Sequence, residues 1–149
     1  LSRRKGLAVR DALVQQGRSM EDTVIIASDT VVAMDGEILG KPRDEADARR
    51  MVGMLQGRTH TVASGLAIYK DGRTVTAHEL TGGSFAPMNE TEIETYIATG
   101  ESFGKAGGYA VQGFAARFIS GLEGDYFNVV GLPVRRLYET LREGFGIVL

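Results

Sequence analysis

Two Asp-Gly pairs, Asp35-Gly36 and Asp71-Gly72, each sit between runs of apolar and β-branched residues. Asp-Gly offers two successive residues that tolerate positive φ, the need of a two-residue hairpin turn whose twist matches its strands. Each pair therefore demands two antiparallel strands. Around the first, Thr23-Val24-Ile25-Ile26-Ala27-Ser28 suits a strand buried on both faces. Asp29-Thr30 interrupts it, Val31-Val32-Ala33-Met34 resumes it, and Glu37-Ile38-Leu39 returns before Gly40-Lys41-Pro42 ends the unit. Around the second, residues 59–69 and 73–86 are expected as strands, the latter bent at Gly82-Gly83.

Helical spacing alternates with these strands. Val9, Ala12 and Leu13 predict a helix over 2–16 that Gly17 ends. Asp44 caps a second helix, with Asp47 in its first turn and Ala48, Met51, Val52 and Leu55 along one face; Gly57 stops it. A third is predicted over 90–99 with Asn89 as cap and Ile93, Tyr96 and Ile97 on one face. A Gly-rich loop over 101–108 follows, then strand segments at 109–112, 115–120 and 125–130. The last helix, over 133–143, has Pro133 at its start and Leu137 and Leu141 facing inward. The expected class is α/β with a mixed sheet.

At 149 residues the chain is expected to be a single domain over 1–149, since domains commonly run to about 100–200 residues. Hydrophobic residues at 43% and charged residues at 24% exclude disorder as its main state. The formal charge of −2 gives no basic excess for a nucleic acid or an anionic membrane. No apolar run approaches the roughly 18 residues of a membrane span. The absence of cysteine excludes a disulfide framework, a thiolate nucleophile and a Cys-ligated zinc, and fits a reducing compartment. The chain opens at Leu1 directly into helical sequence, so a fragment is expected.

Three places hold residues suited to chemistry. Asp29 interrupts an apolar strand, where an unpaired carboxylate near the core is costly; it is either satisfied by backbone N–H groups at a kink or functional. Thr30 beside it carries a hydroxyl that substrate can meet, or is an ordinary strand residue. Lys41, between Gly40 and Pro42 where the chain leaves the sheet, is either a solvated loop lysine or a point charge for a phosphate. Lys105-Ala106-Gly107-Gly108-Tyr109-Ala110-Val111-Gln112-Gly113 joins a cation, an aromatic ring and an amide in a small-residue loop. Such loops aim backbone N–H groups at anions, and an amide both donates to and accepts from a base edge; the alternative is a tight turn with Gln112 merely exposed. His60 and His78 have no metal-ligand spacing and are expected to be structural.

Taken in order, Ala27-Ser28-Asp29-Thr30-Val31-Val32, Asp35 to Pro42, Leu55 to Val62, Lys105 to Gly113 and Val129-Val130-Gly131-Leu132-Pro133 resemble the Maf family of nucleoside triphosphate pyrophosphatases across nearly the whole chain. The resemblance implies an elongated twisted sheet flanked by helices, as in inosine triphosphate pyrophosphatases. It also implies hydrolysis of dTTP and UTP, since the K-A-G-x-Y-x-x-Q-G segment marks that branch. Asp29 would serve as catalytic base and as the carboxylate of a Mg²⁺ or Mn²⁺ site. Lys41 would contact phosphate, Lys5 matches the lysine of the family's early helix, and Thr30 and Gln112 match positions tied to substrate choice. Lys105 stands in the matching loop as a further substrate-binding residue.

The family's leading strand and its Ser-rich, double-arginine phosphate loop have no counterpart in this sequence, so the chain is expected to be N-terminally truncated. A homodimer, a cytoplasmic location, house-cleaning of noncanonical or excess nucleotides and a link to division arrest are implied by the same likeness. The alternatives are a nucleotide-binding regulatory module without turnover, and a pyrophosphatase acting on 7-methyl-GTP.

Overall fold

The computed structural model describes residues 1–149. Helix α1 (Ser2–Gln15) leads into β1 (Ile25–Met34), β2 (Glu37–Leu39), α2 (Glu45–Leu55), β3 (Thr59–Lys70) and β4 (Arg73–Phe85). There follow α3 (Glu90–Ala98), 3-10 turns at Ala106–Gly108 and Phe114–Phe118, β5 (Ile119–Glu123), α4 (Tyr126–Val130) and α5 (Val134–Phe145). The five strands form one sheet in the order β2-β1-β3-β4-β5.

Both hairpins close where the Asp-Gly pairs stand. Met34 pairs with Glu37 and Lys70 with Arg73, leaving two-residue turns. All four turn residues take positive φ, 51° and 75° in the first and 50° and 76° in the second. The architecture is α/β with helices flanking the sheet, but the sheet is antiparallel throughout rather than mixed. Most of it is built from sequence neighbours joined by hairpins, and no helix serves as a crossover between parallel strands.

Asp29-Thr30 does not interrupt β1. The strand runs unbroken past it, with Asp29 opposite Gly65 on β3. Asp29 stays in the ladder while its side chain remains 23% exposed rather than core-buried; the space over its glycine partner is taken by Ser2 of α1, whose Oγ would stand 3.1 Å from a Cβ at Gly65.

The main core lies between the sheet and helices α2 and α3. Val32, Leu39 and Val62 from the sheet meet Ala48, Met51, Val52 and Leu55 of α2 and Tyr96 and Ile97 of α3. Fully burying a Leu or Val side chain stabilises by about 1.5–3 kcal/mol. The side chain of Asp44 accepts from the N–H of Asp47 to cap α2, and Asn89 and Glu92 form a capping box on α3. On the other side, α1 packs against β1 and β3 through a smaller cluster of Ile25, Ala67 and Tyr69.

Three expected strand segments take other forms. Residues 109–112 are irregular and turn, and most of 115–120 is the 3-10 turn that precedes β5. Of residues 125–130, Asp125 caps and Tyr126–Val130 form α4, although Tyr126-Phe127-Asn128-Val129-Val130 reads locally as β-branched and aromatic. Tertiary hydrogen bonds decide this. Asn128 is fully buried, and its Nδ2 donates to the carbonyls of Val62 and Glu79 and to Thr81 Oγ1.

Candidate functional site

Helix α1 reaches the sheet closely because residue 6 is glycine. A Cβ there would lie 2.8 Å from Tyr69 Cδ2, and the Tyr69 hydroxyl donates to the Arg3 carbonyl at 2.6 Å. This contact carries Lys5 over the sheet, where its Nζ donates to Asp29 Oδ1.

Lys41 is set by two locks. The Gly107 N–H donates to the Gly40 carbonyl at 3.0 Å, tying the loop after β2 to the loop bearing Lys105. Beyond Pro42, the Arg43 N–H donates to Asp47 Oδ2 at 3.0 Å, which fixes the entry to α2. The same carboxyl is held below the usual carboxylate range, first by that backbone N–H, against the opposing effect of its desolvation.

These loops and strands enclose a cleft of about 380 Å³. Lys5, Asp29, Thr30, Lys41, Lys105 and Gln112 all line it, so the structure brings together every residue singled out in the sequence. Asp29 is the single acidic residue among the lining side chains, facing three lysines. Lys41 and Lys105 have no acidic partner within ion-pair distance. Two free cations, and a third held by one carboxylate, form an electrostatic trap for a small polyanion.

Thr30 lies in the wall, but its hydroxyl is already engaged. It meets Ser64 Oγ at 2.7 Å and donates to the Gly131 carbonyl at 3.3 Å. Ser28 Oγ donates to the same carbonyl at 3.2 Å, and Ser64 Oγ to that of Asn128 at 3.3 Å. These hydroxyls fasten the 128–131 segment, which forms one wall of the cleft, onto β1 and β3. Sequence reasoning missed Ser28, Ser64 and Asn128; Asn128 inside an apolar run was the available signal.

Behind the cleft, His60 Nε2 and the Tyr109 hydroxyl are 2.6 Å apart, and Phe85 packs edge-on against the Tyr109 ring. Burial lowers the His60 pKa from 6.5 to about 4 and pushes the Tyr109 phenol up. Both groups are neutral near pH 7, and Tyr109 is the member of the pair that lines the cleft. His78 lies on β4, opposite Gly65 of β3.

The donor set bears on a metal. No group of three or more His, Asp or Glu residues could form a protein cage. Mg²⁺ is commonly held by one or two carboxylates together with substrate phosphates, and Asp29 fits that mode because Lys5 takes one of its oxygens and leaves the other.

Comparison with known proteins adds a family. A family model described as "Maf-like protein" matches residues 1–144. The chain is 48% identical over 145 residues to a "dTTP/UTP pyrophosphatase" of Pelotomaculum thermopropionicum, covering 95% of this chain and 75% of the relative. It is 45% identical over 120 residues to one of Symbiobacterium thermophilum, covering 80% and 62%. It is 43% identical over 139 residues to one of Pyrococcus abyssi, covering 93% and 74%. The chain thus spans from 62% to 75% of the length of these relatives.

Proposed function

This chain belongs to the Maf family, and on that premise we propose that the protein hydrolyses dTTP and UTP at the α-phosphorus, releasing the nucleoside monophosphate and pyrophosphate. The observation that carries the reading is the cleft itself, where one half-buried carboxylate faces three lysines beside a Gly-rich loop. The names of the relatives supply the substrate class.

The residues divide the work by their chemistry. Lys41 and Lys105 neutralise the β- and γ-phosphates, which lowers the barrier to approach of a nucleophile. Asp29 accepts a hydrogen bond from a water and takes its proton as the water oxygen attacks the α-phosphorus. The bond from the α-phosphorus to the bridging oxygen breaks, and its electron pair leaves with pyrophosphate. Lys5, paired with Asp29 in the free protein, exchanges part of that contact for the phosphate chain. A divalent cation, when bound, adds further neutralisation of the phosphates, with Asp29 as its protein carboxylate.

Gln112 reads the base edge. Its amide both donates and accepts, which matches the alternating O and N–H of a uracil or thymine edge. Sites that hydrogen-bond a substrate edge discriminate strongly, because a wrong base leaves polar groups unpaired. Thr30 contributes through its tie to Gly131, which sets the opposite wall.

The deciding experiment incubates the intact protein with each nucleoside triphosphate, with and without Mg²⁺ or Mn²⁺, and separates the products. Pyrophosphate from dTTP and UTP supports the reading. Orthophosphate alone, nucleotide bound but intact, or preference for 7-methyl-GTP contradicts it. A homodimer belongs to the same proposal and is tested by sedimentation of the intact protein. Cytoplasmic location and a role in division arrest are tested by tagging and overproducing the protein in cells. No helix is long and apolar enough to cross a membrane.

A further inference from the structure

Glu101 follows Gly100 at the end of α3 and lies outside the cleft lining. Its carboxylate reaches across to the far side of the loop that carries Gln112. Oε1 accepts from the Phe114 N–H at 2.8 Å and Oε2 from the Ala115 N–H at 3.2 Å. These are the first donors of the 3-10 turn Phe114–Phe118, whose N-cap, Gly113, has no side chain to satisfy them.

Gly113 is part of the same arrangement. A Cβ at that position would overlap Glu101 Oε1 and stand 3.0 Å from Oε2. The carboxylate occupies the space that any other residue at 113 would fill. The backbone of Glu101 is pinned in turn, its N–H donating to Thr99 Oγ1 at 3.2 Å while that hydroxyl donates to the Tyr96 carbonyl at 2.6 Å.

The near side of the loop is held from the same helix. The Ala110 N–H points to the Tyr96 hydroxyl at 3.4 Å, and the Tyr96 ring is buried. Burial, followed by the adjoining Glu101 carboxylate, pushes the Tyr96 phenol above its ordinary range, so it stays protonated. Residue 110 is thus anchored by Tyr96, and residues 114–115 by Glu101. The segment between them, Val111-Gln112-Gly113, spans two fixed points with Gln112 exposed at the cleft.

We propose that Glu101 is a positioning residue for base recognition: by gripping the Phe114 and Ala115 N–H groups through the gap at Gly113, it fixes the angle at which Gln112 presents its amide to the nucleotide. The inference rests on the reading that Gln112 meets the base. Glu101 touches neither substrate nor reacting atoms and acts on specificity alone.

The test uses steady-state kinetics of the intact protein on UTP and CTP, which share sugar and phosphates and differ at the base edge. Glu101→Gln keeps the size of the side chain but turns an amide N–H₂ against one of the two backbone donors. It is expected to raise KM for UTP about tenfold with kcat nearly unchanged, the pattern of binding lost equally from the ground state and the transition state. The constants for CTP stay in place, so the preference for UTP falls by the same factor. Gly113→Ala, which evicts the carboxylate without altering it, is expected to give the same shift and serves if the first variant does not fold. The double variant is expected to be no worse than either single one, because both remove one shared interaction.

Gln112→Ala separates the two ideas. If it lowers the UTP-to-CTP preference while Glu101→Gln and Gly113→Ala leave the preference intact, the role of Glu101 is overturned and base reading by Gln112 stands. If Gln112→Ala leaves the preference intact, base reading falls and the inference falls with it. A uniform drop in kcat on both nucleotides in the Glu101 and Gly113 variants would make Glu101 a structural cap only and would also overturn the proposal.

Discussion

Lys5 on α1 donates directly to Asp29 on β1, an ion pair between residues 24 apart in sequence. It joins the helix packed on the sheet to the strand that carries the cleft's single carboxylate. Its Lys5 side chain is 55% exposed and its Asp29 side chain 23% exposed, so solvent and an arriving anion both reach it. The pair is therefore suited to exchange with a ligand, since partly exposed ion pairs contribute little to stability.

Asp29→Asn separates chemistry from folding. Loss of a general base commonly costs about 10²–10⁴ in rate, so kcat is expected to fall by at least about a hundredfold. The change in unfolding free energy is expected to stay within about 1 kcal/mol, as for other partly exposed pairs. Parallel turnover and denaturant titrations check both. Undiminished turnover would remove Asp29 from its role.

Gly6→Ala tests how Lys5 is placed. The added methyl meets the Tyr69 ring, and overpacking of this kind costs about 1–3 kcal/mol. Thermal unfolding is expected to shift down, and KM to rise as α1 moves off β3. Combining it with Tyr69→Val is expected to recover part of both, because the two residues compete for one space.

His60 sets an acid limit. Its pKa is about 4 when folded against an ordinary 6.5, because burial penalises the imidazolium. Between those values the unfolded chain binds more protons than the folded one, so stability falls as pH falls. The contribution is complete above pH 6.5 and declines towards pH 4, by about 3 kcal/mol for a shift of this size at 1.36 kcal/mol per unit. His60→Gln is expected to flatten that part of the pH–stability curve, measured against the parent to subtract the carboxylates. An unchanged slope would mean that His60 titrates normally.

Lys41→Ala and Lys105→Ala are expected to weaken inhibition by pyrophosphate about tenfold each, as the loss of a charge-assisted contact implies. Raising ionic strength should diminish the difference between variant and parent, since the cleft is open to solvent. Product-inhibition kinetics at two salt concentrations read both effects.

The hairpins and the long helices were legible because their signals are local. Asp35-Gly36 and Asp71-Gly72 could only turn, and Ala48, Met51, Val52 and Leu55 could only face one way. Asp29, Thr30, Lys41, Lys105 and Gln112 stood out by residue type and place, Lys5 only through the resemblance, and the structure gathers all six in one place. What escaped depends on distant partners. Tyr126 to Val130 reads as a strand until Asn128 is seen donating to β3 and β4. Within 109–118 the N–H groups of Ala110, Phe114 and Ala115 go to Tyr96 and Glu101 rather than to a neighbouring strand. Asp29 does not break its strand, because its carboxylate is partly exposed and paired with Lys5 of α1, a partner 24 residues away. The engaged hydroxyl of Thr30 likewise depends on Ser64 and Gly131, neither of which its own neighbourhood indicates.

The most direct test of the central claim, that Asp29 steers water onto the α-phosphorus, is hydrolysis of UTP by the intact protein in ¹⁸O-labelled water, with mass analysis of both products. The account expects one label in the monophosphate and none in pyrophosphate, with the labelled product suppressed in Asp29→Asn. Label in pyrophosphate or orthophosphate, or undiminished labelling of the monophosphate in that variant, would contradict it.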